Sequence, residues 1–314
     1  MLGGILLALG DWRWVFLINV PLCLVGIVAA WRVLPADPEA TGPRPGLDAL
    51  GFALLVPGIT AVVYGFSQFS EAQSPALAWG ALAVGALLVA GFVLWALRRG
   101  ERALIDLTLL ARRNIGSSTL MMFLLGVTLF GGMFLLPLYW QMERGQGVLA
   151  AALLLIPQGI GSLLTRLVIA RVVERLGART TTMASFLLVG VATLPFAFAG
   201  EHTSEVLLGA TLLVRGLGLG ALMVPIMANA FEQLEPEAVA QVSMQTRIMQ
   251  QLGGALGTAV AAVILAALTT SVGLETAFRI SFAVSVAGCV IAAVASLTMT
   301  SGTSRTPAHA SAAA

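Results

Sequence analysis

Arg166 and Arg215 stand inside long apolar runs of this 314-residue chain. An ionisable side chain at membrane depth is expensive and rarely faces lipid, so each is a functional-site candidate. Arg166 lies a few residues from the end of its run, where its long side chain can snorkel to the surface. Arg215 is nearer mid-run and needs water, a carbonyl, an amide or a carboxylate. Facing a cavity, it would attract anionic groups and repel cationic ones. Gln141, Gln158 and Asn229 are the other polar groups in or near these runs, and each implies a cavity or a helix partner. No Asp or Glu lies deep in a run. A proton-coupled pump needs a titratable group there, usually a carboxylate, so none is expected from these residues. His202 and His309 lie apart in polar segments. Cys23 and Cys289 lie in apolar ones, where a thiol acts as a small hydrophobe and a disulfide is not expected. Nothing calls for a metal or a cofactor. No carboxylate pair or Ser/His arrangement suggests a membrane enzyme.

Arg171, Glu174, Arg175 and Arg179 form the sharpest charged cluster, in a loop of about ten residues with a turn glycine, Gly177. Mixed signs at this spacing can pair with one another and with a helix end, forming a latch. The plainer reading is a loop marked basic by its side of the membrane. Met121, Met133 and Tyr139 stand out in a run rich in Met and aromatic residues, which suits a promiscuous apolar pocket and equally suits lipid contact or core packing. Gly216, Gly218 and Gly220 lack the strand and spacing of a dinucleotide fingerprint. Like Gly253 and Gly257, they suit close helix packing.

The elements that must carry these residues follow from composition. Hydrophobic residues are 58% and charged residues 10%, with mean hydropathy +0.95. So few charges cannot cover a soluble surface. The chain reads as a polytopic membrane protein embedded in a lipid bilayer, which excludes a soluble enzyme, a nucleic-acid-binding module and a disordered tail. Full spans are expected at Trp14–Trp31, Ala49–Ser67, Leu77–Leu97, Ile115–Trp140, Val148–Ala170, Thr180–Ala199, Val206–Asn229, Leu252–Thr270 and Ala277–Thr300. Met1–Leu9 reads as the end of a helix that begins earlier. Such long apolar runs are helices, not barrel strands, so the fold class is all-α.

All 17 basic residues are Arg. Alternating the loops puts Arg32, Arg44, Arg98, Arg99, Arg102, Arg112, Arg113, Arg171, Arg175, Arg179, Arg247 and Arg305 on one side and Arg13, Arg144 and Arg279 on the other. The positive-inside rule makes the first side cytoplasmic, with the C-terminus. Residues 1–34 read as the end of an N-terminal bundle and 35–114 as linker loops around a two-helix insert. An amphipathic surface segment is expected within Arg98–Asn114. Residues 115–300 read as a six-helix C-terminal bundle and 301–314 as a tail. Six helices suggest two inverted triplets, with Pro137 and Pro225 near the ends of their first helices.

Trp12-Arg13-Trp14-Val15-Phe16-Leu17-Ile18-Asn19-Val20-Pro21 resembles the hairpin before the sixth helix of fourteen-helix drug:proton antiporters, the EmrB/QacA-like branch of the major facilitator superfamily. Gly3-Gly4 resembles the tail of that branch's fifth-helix motif. Leu47-Asp48-Ala49-Leu50-Gly51 resembles the start of the seventh helix, and Pro137-Leu138-Tyr139-Trp140-Gln141 the end of the ninth. Ala170–Arg179 is similar to the Gly-x-Leu-x-Asp-Arg-x-Gly-x-Arg loop, with Ala170 and Glu174 departing from it. Arg215–Gly220, Pro225 and Gln251–Gly257 resemble the twelfth helix and the start of the thirteenth. The resemblance implies about four and a half further helices before Met1, with half of the cavity and the acidic proton-coupling residue. It implies multidrug efflux by proton antiport and alternating access in a bacterial plasma membrane, with a small hydrophobic or amphipathic substrate. The substrate path would then use Gln158, Arg215, Met121, Met133 and Tyr139, and the cytoplasmic gate Arg171, Glu174, Arg175 and Arg179. A metabolite, peptide or lipid exporter and a non-transporting scaffold or remnant stay open.

Overall fold

The computed structural model describes residues 17, 19–33, 48–71, 75–100, 110–200, 203–232 and 234–300, and among these the regular structure is all helical. In chain order α1 is Asn19–Val33, α2 Ala49–Glu71, α3 Pro75–Arg99 and α4 Arg113–Leu138, which runs into a π-helical turn at Tyr139–Glu143. Next come α5 Val148–Leu154, α6 Ile156–Arg166, α7 Ile169–Leu176, α8 Ala178–Phe198, α9 Glu205–Ala230, α10 Pro236–Val272 and α11 Leu274–Ala295. Among the described residues seven helical stretches are long and apolar enough to cross a membrane, while Asn19–Val33 and Ala49–Gly65 are shorter apolar helices. The segment Met1–Leu9, the Asp11–Trp14 hairpin, most of the proposed surface segment and the tail lie outside the described residues.

Two differences from the sequence reading have local causes. The run expected as one span at Val148–Ala170 is three helical pieces, interrupted at Leu155 and at Leu167–Val168. Pro157 opens α6; it has no N–H to give, and its ring crowds the carbonyl four residues back. Arg247, expected in a loop, lies well inside the 37-residue α10. The chain turns instead at Phe231–Glu235, and no glycine or proline interrupts the polar run from Glu237 to Gln251.

Helices α4 to α11 fall into two successive triplets, α4 with α5–α7 and α8, then α9 with α10 and α11. Each triplet reaches across to the other through a glycine seam. Between α4 and α10, a methyl on Gly126 would meet the Gln250 carbonyl oxygen, one on Gly253 the Phe123 oxygen and one on Gly257 the Val127 oxygen. Between α9 and α6, a methyl on Gly216 would meet the Gln158 oxygen and one on Gly161 the Leu213 oxygen. There Thr165 Oγ1 donates to the Leu217 carbonyl at 2.9 Å. The two seams share one register. Phe123, Gly126 and Val127 correspond to Leu213, Gly216 and Leu217, each 90 residues later; Gln250, Gly253 and Gly257 correspond to Gln158, Gly161 and Thr165, each 92 earlier. Equivalent helices are three spans apart and so run oppositely, which makes the repeat inverted. Pro137 and Pro225 are not its markers. The register sets Pro225 against Leu135, so the backbone contacts carry the repeat and the prolines do not.

Candidate functional site

Arg215 on α9 is 3% exposed. Its Nη1 donates to Gln158 Oε1 on α6 at 2.8 Å, its Nε to Thr193 Oγ1 on α8 at 3.3 Å, and its Nη2 to the Thr128 carbonyl on α4 at 3.3 Å. One planar guanidinium thus ties four helices, and all three acceptors are neutral. The local sequence makes room for this. Gly216 brings α6 against α9, and a methyl on Gly132 of α4 would land on the guanidinium. Charge at this depth requires satisfied donors, and the clasp supplies them without a carboxylate.

The structure brings Gln158 and Arg215 together and separates the other three proposed path residues. Met133 is exposed. Met121 and Tyr139 are buried. Met121 packs with Met122, Leu125, Phe186 and Leu222. The Tyr139 ring is enclosed by Trp140, Phe196, Phe278 and Phe282 at centroid distances of 5.6–5.7 Å, all edge-to-face. Edge-to-face rings at this spacing are favourable packing, so Tyr139 pins the end of α4 to α8 and α11.

The charged cluster is not internally paired among the described residues. Ile169 and Val173 pin α7 against Ala221 of α9, and Gly177, at φ +79°, turns the chain into α8. Arg171, Glu174 and Arg175 point outward and are exposed, with Arg179 half-buried. None of the four forms an ion pair among the described residues. Adjacent Glu174 and Arg175 do not share a helix face, and an exposed helical pair contributes only about 0.3–0.5 kcal/mol. The polar contacts at this end are elsewhere. Asn229 Nδ2 donates to the Asn114 carbonyl at 2.9 Å and to Ser118 Oγ at 2.8 Å. Thr300 Oγ1 reaches Asn229 Oδ1 at 2.5 Å and Glu232 at 3.0 Å. At the opposite end Arg144 donates to the Gly200 and Thr203 carbonyls, and Arg279 pairs with Glu275 at 2.6 Å.

Asp48 is a site that sequence reasoning passed over. It caps α2 through the Gly51 N–H at 3.0 Å, accepts from Trp95 Nε1 at 3.0 Å and pairs with Arg99 at 3.3 Å. It therefore holds the α2–α3 hairpin closed. Its partners lie 47 and 51 positions away, so only the helix-start pattern Asp-x-x-Gly hinted at it. A cavity of about 710 Å³ lies between α2 and α10, lined by Ile59, Val63, Phe130, Gln251, Ala255 and Thr258. A second, of about 450 Å³, shares Ile59, Val63 and Ala255 and continues along α3 past Ala86 and Val89. None of the five proposed path residues lines either cavity.

The sequence pattern of the Major Facilitator Superfamily matches residues 1–258. The chain belongs to the major facilitator superfamily. The match fits the long apolar helices of a multi-pass membrane protein. It is similar to the multidrug resistance protein B homolog of Mycobacterium tuberculosis, 32% identical over 267 residues, covering 82% of this chain and 48% of that protein. It is similar to the puromycin resistance protein pur8 of Streptomyces alboniger, 30% identical, covering 81% of this chain and 51% of that protein. It is also similar to a probable actinorhodin transporter of Streptomyces coelicolor, 32% identical, covering 77% and 43%. The chain spans about half the length of these relatives. In fold it resembles a variant of the nucleoside transporter NupG, at a TM-score of 0.51 and 15% identity over 87% of this chain and 85% of that one.

Proposed function

We propose that this chain forms the linker hairpin and the C-terminal six-helix unit of a bacterial multidrug efflux transporter working by proton antiport and alternating access. The observation that carries this reading is the similarity to multidrug resistance proteins at 32% identity over most of the chain. Gln158 and Arg215, joined at 2.8 Å, are the polar point of the substrate path, and Met121, Met133 and Tyr139 are its apolar members elsewhere on α4 and the turn that follows it. Arg171, Glu174, Arg175 and Arg179 form a gate by meeting a partner surface rather than one another. The twelve-to-three division of Arg between alternate loops puts that end and the C-terminus in the cytoplasm; moving Arg247 into α10 leaves the division strong. The proton-coupling carboxylate belongs to helices preceding α1. The actinorhodin-transporter relative supports an endogenous aromatic metabolite as the alternative cargo.

The test is accumulation of a cationic dye in an efflux-deficient bacterium expressing the chain fused behind the N-terminal helices of a multidrug resistance relative, with and without a protonophore. Lower accumulation than in the empty-vector strain, abolished by the protonophore, supports the reading. Equal accumulation refutes efflux by this chain. In an active system, Glu174→Gln should slow efflux at an unchanged membrane level, and unchanged efflux would remove the gate assignment.

A further inference from the structure

The α2–α10 cavity is unrelated to the Arg215 clasp, and its position along the bilayer says what could fill it. At 37 residues, α10 is about 55 Å long, against a hydrocarbon core of about 30 Å or about 20 residues. Its far end is fixed, because only Gly273 separates Val272 from α11. Counting about 20 residues back from Val272 puts the hydrocarbon boundary near Leu252. The cavity walls from Leu252 to Ala262 therefore lie at acyl-chain depth. Arg247 lies about a turn and a half beyond them, at headgroup depth.

Arg247 is exposed, and its Nη1 donates to Gln250 Oε1 at 3.2 Å. It forms no ion pair among the described residues. On the face of the cavity residue Ile248, one turn nearer the Arg-rich end, Gln245 is buried, and neither amide atom has a partner among the described residues. A buried amide without partners needs an occupant or a water. Ile248 packs against Leu55, Phe92 and Ala96, so the last turn of α3, with Arg98 and Arg99, lies at the same end. The carboxylate there, Asp48, is already engaged by Arg99. The result is an apolar slot of ligand-sized volume with positive charge on Arg247 that no described carboxylate neutralises, and amide capacity at its headgroup end.

We propose that this slot is a binding site for an anionic membrane lipid, with an acyl chain between α2 and α10 and its phosphate on Arg247. The occupant follows from charge complementarity. A zwitterionic lipid would fill the slot equally well but gain little from Arg247, and a soluble anion would leave the apolar walls empty. The site goes beyond the efflux reading and does not depend on it, since lipid binding can be measured without transport.

The experiment is native mass spectrometry of the purified chain released from detergent, titrated with dioleoyl phosphatidylglycerol or dioleoyl phosphatidylcholine. A single Arg beside an anionic headgroup contributes about 1 kcal/mol, a preference of about fivefold. The wild type should show that preference for phosphatidylglycerol, and Arg247→Gln should bring the ratio to about one. Arg32→Gln, which changes an exposed arginine on α1, should keep the wild-type ratio. Ala255→Trp, or Ala262→Phe if the first does not fold, should fill the slot and reduce binding of both lipids. Equal binding of the two lipids by the wild type overturns the proposal. So does a preference that survives Arg247→Gln, or one lost equally in Arg32→Gln. Undiminished lipid binding in the folded slot-filling variant overturns it as well.

Discussion

Replacing Arg215 with Leu tests whether the clasp is structural. The side chain is almost wholly buried and gives up three hydrogen bonds, to Gln158, Thr193 and Thr128. Interhelical hydrogen bonds within membranes average about 0.6 kcal/mol and reach about 1.7. Three of them come to roughly 2 kcal/mol. Against this, a cation is removed from a depth where insertion costs about 2.5–3.5 kcal/mol when unpaired. The bonds offset only part of that cost, so Arg215→Leu should leave stability within about 1 kcal/mol of the wild type. Arg215→Lys should lose about 2 kcal/mol, because an ammonium keeps the charge but cannot reach three acceptors in a plane. The assay is reversible unfolding of the purified chain in mixed micelles, followed by tryptophan fluorescence. Gly132 supplies an internal control. Gly132→Ala should destabilise the wild type, because its methyl would land on the guanidinium, yet cost little in an Arg215→Leu background. The reasoning is refuted if Arg215→Lys is as stable as the wild type, or if the Gly132 and Arg215 effects simply add.

The other predictions concern the hairpin, the seams and the orientation. Asp48→Ala removes a helix cap and strands the Trp95 and Arg99 donors. It should cost about 1–2 kcal/mol and raise hydrogen exchange at the start of α2 and the end of α3; protection unchanged at both would show that Asp48 does not hold the hairpin. Gly253→Leu and Gly161→Leu sit at equivalent seam positions. Both should block assembly, seen as loss of the monodisperse peak in size-exclusion chromatography, and one tolerant variant would break the equivalence. In a background lacking Cys23 and Cys289, Thr203→Cys should label from outside the cell and Glu235→Cys only after permeabilisation; the reverse pattern would invert the orientation.

Much of the fold could be read because membrane insertion is a local property of sequence. Twenty apolar residues make a span wherever they occur, and the glycine runs at 216–220 and 253–257 show their spacing directly. The places where reading stopped are those where partners are distant. Arg215 needed a carbonyl or an amide, and its type could be foreseen. That the acceptors would be Thr128, Thr193 and Gln158, on three different helices, could not. Asp48 looked like the start of a helix because its cap is local, while Trp95 and Arg99 come from the far end of the next one. Arg247 was misread because a run of Gln, Ser and Arg looks like a loop when judged by polarity. It is helical because α10 extends past the hydrocarbon, where polar side chains cost nothing. The charged cluster was judged by sign and spacing, and the outward face of α7 decided against pairing.

The shared register of the two seams has a mechanical consequence. Where backbone meets backbone there is no side chain to yield, so α4 with α10 and α9 with α6 each behave as a stiff two-stave beam. Flexing is left to the joints between beams, where longer side chains can slide. Arg215 sits at such a joint, rooted in one beam by its own helix and by Gln158, and hooked to the other only through the Thr128 carbonyl. The equivalent position on the other beam is Leu125, which can grip nothing. The dyad is therefore broken at one bolt, and rocking of one beam against the other would pivot on that side.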